Sequence, residues 1–181
     1  VYDSNRYTMW AMLQRLGVEP IDLGVVADDP TALEAAFATA AREAGAVISS
    51  GGVSVGEADH TRRVMARLGE VLFWRVAMRP GRPLAIGRIA GGEHSTLVFG
   101  LPGNPVAVMV TFYVLVRDAL LALAGATPAA PTTMRATSLV PIRKRAGRTE
   151  YPRGIVGRGA DGRWQVRTTG AQGSGMLRSL G

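Results

Sequence analysis

Apolar and polar positions follow two different periods along the first two thirds of this 181-residue chain. In two segments the apolar side chains recur at every third or fourth position, which predicts amphipathic helices. The first helix is capped by Asp3 or Ser4 and ends at Gly17. The second is capped by Asp29 and has Pro30 at its first position. The predicted buried positions are Met9, Met12, Leu13 and Leu16 in the first helix and Leu33, Ala36, Phe37 and Ala40 in the second.

Short apolar runs between the helical segments predict strands. The predicted strands are 18–24, 46–50 in the centre of the sheet, 71–77, 84–89 and 96–100, the last two joined as a hairpin across Gly91-Gly92. Two further helices are predicted at residues 60–68 and from Pro105 to about residue 124, with Asn104 as the cap. Alternating helices and strands indicate a layered α/β fold. Because no strand precedes the first helix, we expect the chain to be a fragment of a longer protein.

A different pattern begins after residue 127. Residues 126–131 are rich in alanine, proline and threonine, a composition typical of a linker. Strand-like segments follow at 133–142, 150–157 and 164–168, with Asp161-Gly162 as a turn and no helical period. The sequence therefore predicts two domains, an α/β domain at residues 1–127 and part of an all-β domain at residues 128–181.

Charge is distributed unevenly between these two predicted domains. The chain has a net charge of +7, of which residues 1–127 contribute −1 and residues 128–181 contribute +8. Such asymmetry can indicate nucleic-acid binding, but no series of aromatic side chains accompanies the arginines, so that partner is disfavoured. The absence of cysteine excludes disulfides and thiolate sites, and two histidines are too few for a histidine-rich metal site.

No segment of the sequence has the pattern of a membrane protein. The longest uncharged apolar run, residues 105–116, is shorter than the roughly 20 residues that a bilayer requires. No basic segment followed by an apolar core is visible as a signal peptide. We therefore expect a soluble, cytoplasmic protein without a membrane partner.

The candidate chemistry starts at the end of the strand at 46–50. There Ser49, Ser50, Gly51 and Gly52 follow an apolar run, and Ser54, Gly56 and Asp59 come next. Glycines let backbone N–H groups approach a phosphate, serines add donors, and a carboxylate can hold a cation beside it. The alternative is an ordinary strand-to-helix turn in which Asp59 caps the following helix.

A second loop of the same kind follows the hairpin. Leu101-Pro102-Gly103-Asn104-Pro105 leads into the apolar helix, and a helix start can bind an anion through its free N–H groups. Between the two loops lie Arg75, Arg79 and Arg82, on a strand and the Pro80-Gly81-Arg82-Pro83 turn after it. Guanidinium groups bind tetrahedral oxyanions through paired hydrogen bonds. A solvated basic strand is the alternative.

These motifs together resemble the molybdopterin molybdenumtransferase family, which includes the E domain of gephyrin. The resemblance rests on the serine/glycine loop, the Met78-Arg79-Pro80-Gly81-Arg82-Pro83 turn and the Leu-Pro-Gly-Asn-Pro turn, together with Tyr2-Asp3-Ser4-Asn5, Asp28-Asp29-Pro30 and, more weakly, Gly170-Ala171-Gln172-Gly173-Ser174. It implies a three-layer α/β/α fold of the molybdopterin-binding type, with a mostly parallel sheet, followed by a small all-β domain. The family inserts molybdate into adenylylated molybdopterin and releases AMP, assisted by Mg²⁺.

The resemblance also implies roles for individual residues. Asp59 and Asp28 match family aspartates and would act in catalysis around Mg²⁺, together with Arg75 and Arg79, where the family more often has lysine. The implied binding residues are Ser49, Ser50, Gly51, Gly52, Ser54, Gly56, Arg82, Pro102 and Pro105. A further acidic site residue is implied on a strand upstream of Tyr2, and so are a homodimer and contact with molybdopterin adenylyltransferase.

Three other functions fit parts of the sequence. The related molybdopterin adenylyltransferases share the α/β core, but usually lack the added β domain and the Leu-Pro-Gly-Asn-Pro turn. A non-catalytic scaffold or dimerisation module is a second alternative. The third is nucleic-acid binding through the arginine-rich tail, which would weaken steeply with salt.

Overall fold

The computed structural model describes residues 3–52, 58–92, 94–170 and 172–173. Its helical segments are α1 (Ser4–Arg15), α2 (Pro30–Glu43), α3 (Ala58–Leu68), α4 (Pro105–Thr111), a π-helical turn (Phe112–Val116) and α5 (Arg117–Leu123). Its strands are β1 (Ala46–Ser50), β2 (Gly69–Arg75), β3 (Met78–Arg79), β4 (Pro83–Ala90), β5 (Ser95–Leu101), β6 (Thr137–Ser138), β7 (Thr149–Glu150), β8 (Gly154–Arg158) and β9 (Trp164–Thr168).

The main sheet has four described strands in the order β1-β5-β4-β2. The α/β class is confirmed, but these strands form a mixed sheet rather than a mostly parallel one. Strands β1 and β5 are parallel, whereas β4 is antiparallel to both β5 and β2. A short hairpin loop forces its two strands to run antiparallel, as β4 and β5 do. Among the described strands, β1 lies at the edge of this sheet and not, as predicted, in its centre.

Helices cover both faces of the main sheet, which gives the three expected layers. Successive side chains of β5 point to opposite faces. Val98 packs with residues of α2 and α3, including Phe37 and Met65. Phe99 packs on the other face with residues of α1 and α4, including Met12. Each face therefore has its own apolar core, and the strands between them are held from both sides.

The helical stretch from Pro105 to Leu123 is a core element. Within the described residues it is long and apolar enough to cross a membrane by length and composition alone, a test that core helices also pass. Here Val108, Phe112 and Val116 are fully buried in the cluster that includes Phe99 of β5. The predicted helix is confirmed, with one π-helical turn in its middle.

The prediction of a strand at residues 18–24 is wrong. The described chain from 18 to 27 is neither helix nor strand, and Ile21 and Leu23 are 52% and 44% exposed. The carboxylate of Asp22 accepts a hydrogen bond from the backbone N–H of Gly24 and a bidentate pair from Arg6. Local polar bonds to an aspartate compete with a strand ladder, and here they stabilise a loop against α1.

The C-terminal residues form a small β structure, as expected, with different boundaries. Strands β6, β9 and β8 make a three-stranded sheet, while β7 pairs with β3. The predicted strand at 150–157 is therefore divided between two sheets, and the one at 133–142 is reduced to Thr137–Ser138. The turn at Asp161-Gly162 is confirmed, because Gly162 donates its N–H to the carbonyl of Gly159 at 2.9 Å.

Candidate functional site

Strand register brings most of the described candidate residues to one end of the main sheet. Ser50 lies beside Leu101, where parallel β1 and β5 both end. Strand β4 starts at this end, since Ala85 pairs with Gly100, and β2 finishes there with Arg75 opposite Pro83. Neighbouring strands lie about 4.8 Å apart, so the four strand ends span roughly 14 Å. Ligands of open α/β sheets bind outside the carboxyl ends of the parallel strands, which is where this row lies.

The serine/glycine loop leaves β1 through two glycines with positive φ. Gly51 has φ +87° and Gly52 has φ +66°, conformations that favour glycine. The N–H of Gly51 donates to the carbonyl of Leu101 at 3.1 Å, which joins this loop to the end of β5. A Cβ on Gly52 would lie 2.8 Å from Oγ1 of the buried Thr61, so α3 packs directly beneath the loop. Ser54 and Gly56 lie outside the described residues.

Three buried polar atoms around this loop have no hydrogen-bond partner among the described residues. They are Oγ of Ser49, Oδ1 of Asn5 and Nδ1 of His60. Ser49 is a predicted binding residue, and its hydroxyl lies at the end of β1. Buried polar groups are nearly always hydrogen-bonded, so unpaired atoms at one end of a sheet are typical of a site that a ligand or water completes.

The turn between β5 and α4 lies against the serine/glycine loop. Pro102 is buried, and Pro105 is the first residue of α4, as predicted. A Cβ on Gly103 would be 3.7 Å from Cα of Gly51, which shows that the two loops are in contact. The side chain of Asn104 makes no capping hydrogen bond, so the start of α4 keeps its N–H groups available.

Arg75 and Arg82 lie at the same end of the sheet and are both exposed. The carbonyl of Arg82 accepts the N–H of Val76 at 3.2 Å, which closes the turn between β2 and β4. Gly81 is buried with φ +105°, and a Cβ there would lie 2.4 Å from Cγ2 of Thr111 on α4. The turn, which contains a cis Arg79–Pro80 bond, is therefore fixed against α4 just before Arg82.

Arg79 is engaged differently from the other two arginines. It lies in β3, which pairs in parallel with β7, and its register partner is Glu150. The pKa of Glu150 is lowered, chiefly by a hydrogen bond from Arg148 and also by the charge of Arg79 and a backbone N–H of Arg145. Tyr151 donates its N–H to the carbonyl of Arg79 at 2.8 Å. Arg79 therefore sits at the contact between the main sheet and the C-terminal β structure.

The two candidate metal ligands lie in separate parts of the fold, Asp59 in α3 and Asp28 in the loop before α2. Asp59 is in the first turn of α3, inside the helix rather than at its cap, because α3 begins at Ala58. Asp28 is exposed beside Asp29, whose side chain accepts the N–H of Ala32 at 2.9 Å and caps α2. Over the described ranges, no three His, Cys, Asp or Glu residues gather in a group that could hold a metal ion. Mg²⁺ commonly uses only one or two carboxylates together with waters and phosphate oxygens.

Sequence reasoning missed three residues at or near this end of the sheet. Asn5 donates from Nδ2 to the carbonyl of Gly103 at 2.8 Å. Thr61 lies beneath Gly52, and Glu150 is paired with Arg148 at 2.6 Å. Asn5 belongs to a motif already noted, but its contact is 98 positions away in sequence, and no local pattern reports such a contact.

Two protein families match this chain, in two successive segments. Residues 1–122 match the family described as "Probable molybdopterin binding domain". Residues 135–181 match the family described as "MoeA C-terminal region (domain IV)". The two matches correspond to the main sheet with its helices and to the C-terminal β structure.

Curated relatives carry the same name in several bacteria. The molybdopterin molybdenumtransferase of Haemophilus influenzae is 40% identical over 181 residues, covering 99% of this chain and 44% of the relative. That of a Nostoc species is 43% identical over 126 residues, covering 69% of this chain and 29% of the relative. Gephyrin of Dictyostelium discoideum is 34% identical over 69% of this chain and 20% of its own length. The chain thus spans less than half the length of these relatives.

Solved structures extend the similarity to three dimensions. A molybdenum cofactor biosynthesis protein from Pyrococcus furiosus superposes with a TM-score of 0.71 and 29% identity over 98% of this chain and 55% of its own. A molybdopterin biosynthesis MoeA protein from Pyrococcus horikoshii superposes with a TM-score of 0.61 and 38% identity, over 69% of this chain and 30% of its own chain. Since one family profile matches two thirds of the chain, the chain belongs to the molybdopterin-binding family, whose members include molybdopterin molybdenumtransferases.

Proposed function

We propose that this chain forms the part of a molybdopterin molybdenumtransferase that binds adenylylated molybdopterin and inserts molybdate, with release of AMP. The observation that carries the proposal is the convergence of two glycine-containing loops and two exposed arginines at one end of the sheet. Membership of the molybdopterin-binding family identifies the ligand class that such a site would take. The reaction places the protein in molybdenum cofactor biosynthesis.

The loops would hold the phosphates of the substrate. The N–H of Gly51 bonds Leu101, so the Ser49–Gly52 segment would offer the N–H of Gly52 and the serine hydroxyls, and the Oγ of Ser49 has no protein partner among the described residues. Ser54 and Gly56 are proposed to continue this cradle. Pro102 and Pro105 would have a conformational role, because they restrict the backbone of the turn before α4. The uncapped start of α4 would then lie close to the same anion.

The arginines would supply positive charge for molybdate, the second oxyanion of the proposed reaction. Arg82 follows a turn fixed by Gly81, and Arg75 lies opposite Pro83 in the sheet. Molybdate and phosphate are both tetrahedral oxyanions, and guanidinium groups bind such anions through two parallel hydrogen bonds. Arg79 remains a proposed catalytic residue, although its register partner is Glu150, so its charge is shared with the C-terminal β structure.

A magnesium ion fits the chemistry of the available carboxylates. Asp59 and Asp28 are hard oxygen donors of the kind that Mg²⁺ prefers, and two carboxylates suffice when waters and substrate phosphates complete the shell. When bound, the ion would polarise the phosphoanhydride and offset charge on the leaving phosphate. The chain's own contribution is to position the substrate phosphates in the two loops and to balance the charge of the oxyanions with arginine.

The remaining features are proposed from the family. The protein would act in the cytoplasm as a homodimer and receive its substrate from molybdopterin adenylyltransferase. Exposed apolar side chains on α1, where Tyr7 is 72% and Trp10 is 37% exposed, are compatible with contact between subunits.

The adenylyltransferase alternative is disfavoured by the second family match. A match to the C-terminal region of MoeA at residues 135–181 instead supports the molybdenumtransferase proposal. A scaffold of the same fold would bind the pterin without releasing AMP, whereas a nucleic-acid-binding protein would not bind the pterin.

The test is a titration of the full chain with adenylylated molybdopterin, with and without Mg²⁺, followed by measurement of AMP release on adding molybdate. The proposal predicts saturable binding that Mg²⁺ strengthens, and loss of that strengthening in Asp59→Asn. The matched control is Asp161→Asn, which removes an exposed carboxylate of the turn between β8 and β9. A folded chain that does not bind the pterin would contradict the proposal, and binding without AMP release would favour the scaffold.

A further inference from the structure

Asn5 is connected to the candidate site by a contact that its position in sequence does not reveal. It is the second residue of α1, whose cap is Asp3, and the side chain of Asp3 accepts the N–H of Arg6 at 3.2 Å. Asn5 takes no part in that cap. Its Nδ2 donates instead to the carbonyl of Gly103 at 2.8 Å, 98 positions along the chain.

The Gly103 carbonyl belongs to the turn that lies against the serine/glycine loop. A Cβ on Gly103 would be 3.7 Å from Cα of Gly51, and the N–H of Gly51 donates to Leu101 two residues before Gly103. Asn5 therefore holds one side of this contact, and the backbone bond of Gly51 holds the other. Among the described residues of α1, Asn5 is the one whose side chain hydrogen-bonds to this turn.

The contact fixes the orientation of the Asn5 amide. A carbonyl oxygen only accepts, so the group that faces Gly103 must be the NH₂ group. Oδ1 then points elsewhere, and it is buried without a partner among the described residues, as is Oγ of Ser49. An unpaired buried acceptor destabilises the protein, and a bound ligand or water would remove that penalty.

From this geometry we infer that Asn5 is a positioning residue for the phosphate-binding site. It holds the turn at Gly103 against the loop at Gly51, so that the two loops are already in place before the ligand arrives. The inference deepens the proposed function and rests on it for the identity of the ligand. Fixing a loop in its bound geometry raises affinity, because less ordering remains to be done on binding.

The test compares three variants of the full chain. Asn5→Ala removes the bond to Gly103, and Asn5→Asp keeps the size of the side chain but cannot donate when ionised. Thr8→Val is the control on the same helix, because it removes only the local bond from Thr8 Oγ1 to the carbonyl of Ser4. Asn5→Asp keeps the test valid if Asn5→Ala does not fold.

Two measurements distinguish positioning from general stability. Hydrogen exchange of the Gly51 amide reports the contact between the loops, and the Gly91 amide, which donates to His94 at the opposite end of the sheet, is the internal reference. We expect exchange at Gly51 to accelerate about fivefold to tenfold in both Asn5 variants, as loss of a hydrogen bond of ordinary net strength implies, with Gly91 unchanged. Adenylylated molybdopterin should bind about tenfold more weakly to both.

Each other outcome overturns the inference. Unchanged exchange at Gly51 in both Asn5 variants would show that Asn5 does not hold the loops together. Faster exchange with unchanged affinity would show a structural contact without a role in binding. Equal weakening by Thr8→Val would assign the effect to α1 as a whole. If the unaltered chain does not bind the pterin, the proposed function fails, and exchange at Gly51 still decides whether Asn5 holds the two loops together.

Discussion

The main sheet with its helices and the C-terminal β structure are stabilised by different means. Every buried apolar residue that the structure describes lies between Met12 and Leu120, and most of them form two clusters on the two faces of one sheet. In the described chain beyond residue 125, the buried residue is Arg153, and strand β8 is exposed along its whole length. The first region has an apolar core, whereas the second depends on hydrogen bonds and on contact with the first.

That contact is made at the candidate site. Strand β7 pairs with β3, and the N–H of Thr149 donates to Ala77 while that of Tyr151 donates to Arg79, both at 2.8 Å. The β structure therefore holds the chain just before the turn that contains Arg82. A region with little core of its own can influence the site because it is bonded to the backbone of a catalytic candidate.

The largest loss of stability should follow a substitution in the apolar core of the main sheet. Phe112 is fully buried between α1, α4 and the sheet, and Phe112→Ala should lower the free energy of unfolding by about 3–5 kcal/mol. The matched change in the C-terminal structure is Val156→Ala, where the side chain is 46% exposed and the loss should be about 0.5 kcal/mol. Urea unfolding followed by circular dichroism measures both. Comparable losses would contradict the contrast between the two regions.

A smaller effect, confined to the C-terminal structure, should follow removal of Gln172. Its Oε1 accepts the N–H of Arg153 at 2.8 Å, and its Nε2 donates to the carbonyl of Arg153 at 3.1 Å. Gln172→Ala should destabilise this region by about 1–3 kcal/mol, because a backbone N–H is left without that acceptor.

Hydrogen exchange separates the two regions in this variant. We expect faster exchange in β8 and β9 and unchanged exchange in β4 and β5. Gln14→Ala, which removes an exposed glutamine of α1, is the control and should change neither. Equal acceleration in all four strands would mean that the two regions unfold as one unit.

The smallest effect should be a pH-dependent one at the contact between the regions. The pKa of Glu150 is lowered, first by the hydrogen bond from Arg148 and then by the charges of Arg148 and Arg79. A carboxyl group whose pKa falls on folding stabilises the folded state. The stabilisation is complete above the ordinary pKa of the group, about 4.3, and is lost as the pH falls through the lowered pKa. The difference in melting temperature between the unaltered chain and Glu150→Gln should therefore be constant near neutral pH and shrink below about pH 4.3. A difference that persists in acid would contradict the ion pair.

Local signals in the sequence predicted the helices and the hairpin well. Helices α2 and α4 begin at Pro30 and Pro105, where they were expected, because the cap by Asp29 and the fixed φ of the two prolines act within a few residues. The strand prediction at 18–24 was wrong because a local pattern cannot show whether a neighbouring strand is present. Its strand-like pattern has no neighbouring described strand to pair with, and Asp22 bonds Gly24 and Arg6 instead.

The candidate site was only partly predictable. The serine/glycine loop and the turn at 101–105 could be recognised because backbone geometry requires glycine and proline at fixed spacing. The roles of Asp59, Asp28 and the arginines stay predictions. The contact of Asn5 with Gly103 and that of Arg79 with the C-terminal structure could not be seen, because both join positions far apart in the chain.

The sequence by itself determined most of the element types, the helix starts, the hairpin and the family, because these depend on periodicity and on residues close together in the chain. Only the tertiary structure decided that β1 lies at the edge of the described sheet, that the ends of four strands meet at one place, and that a short strand from the C-terminal region pairs with β3. The physical reason is that strand order and register are set by hydrogen bonds and side-chain packing between distant segments, and no local pattern encodes which segment will be the neighbour.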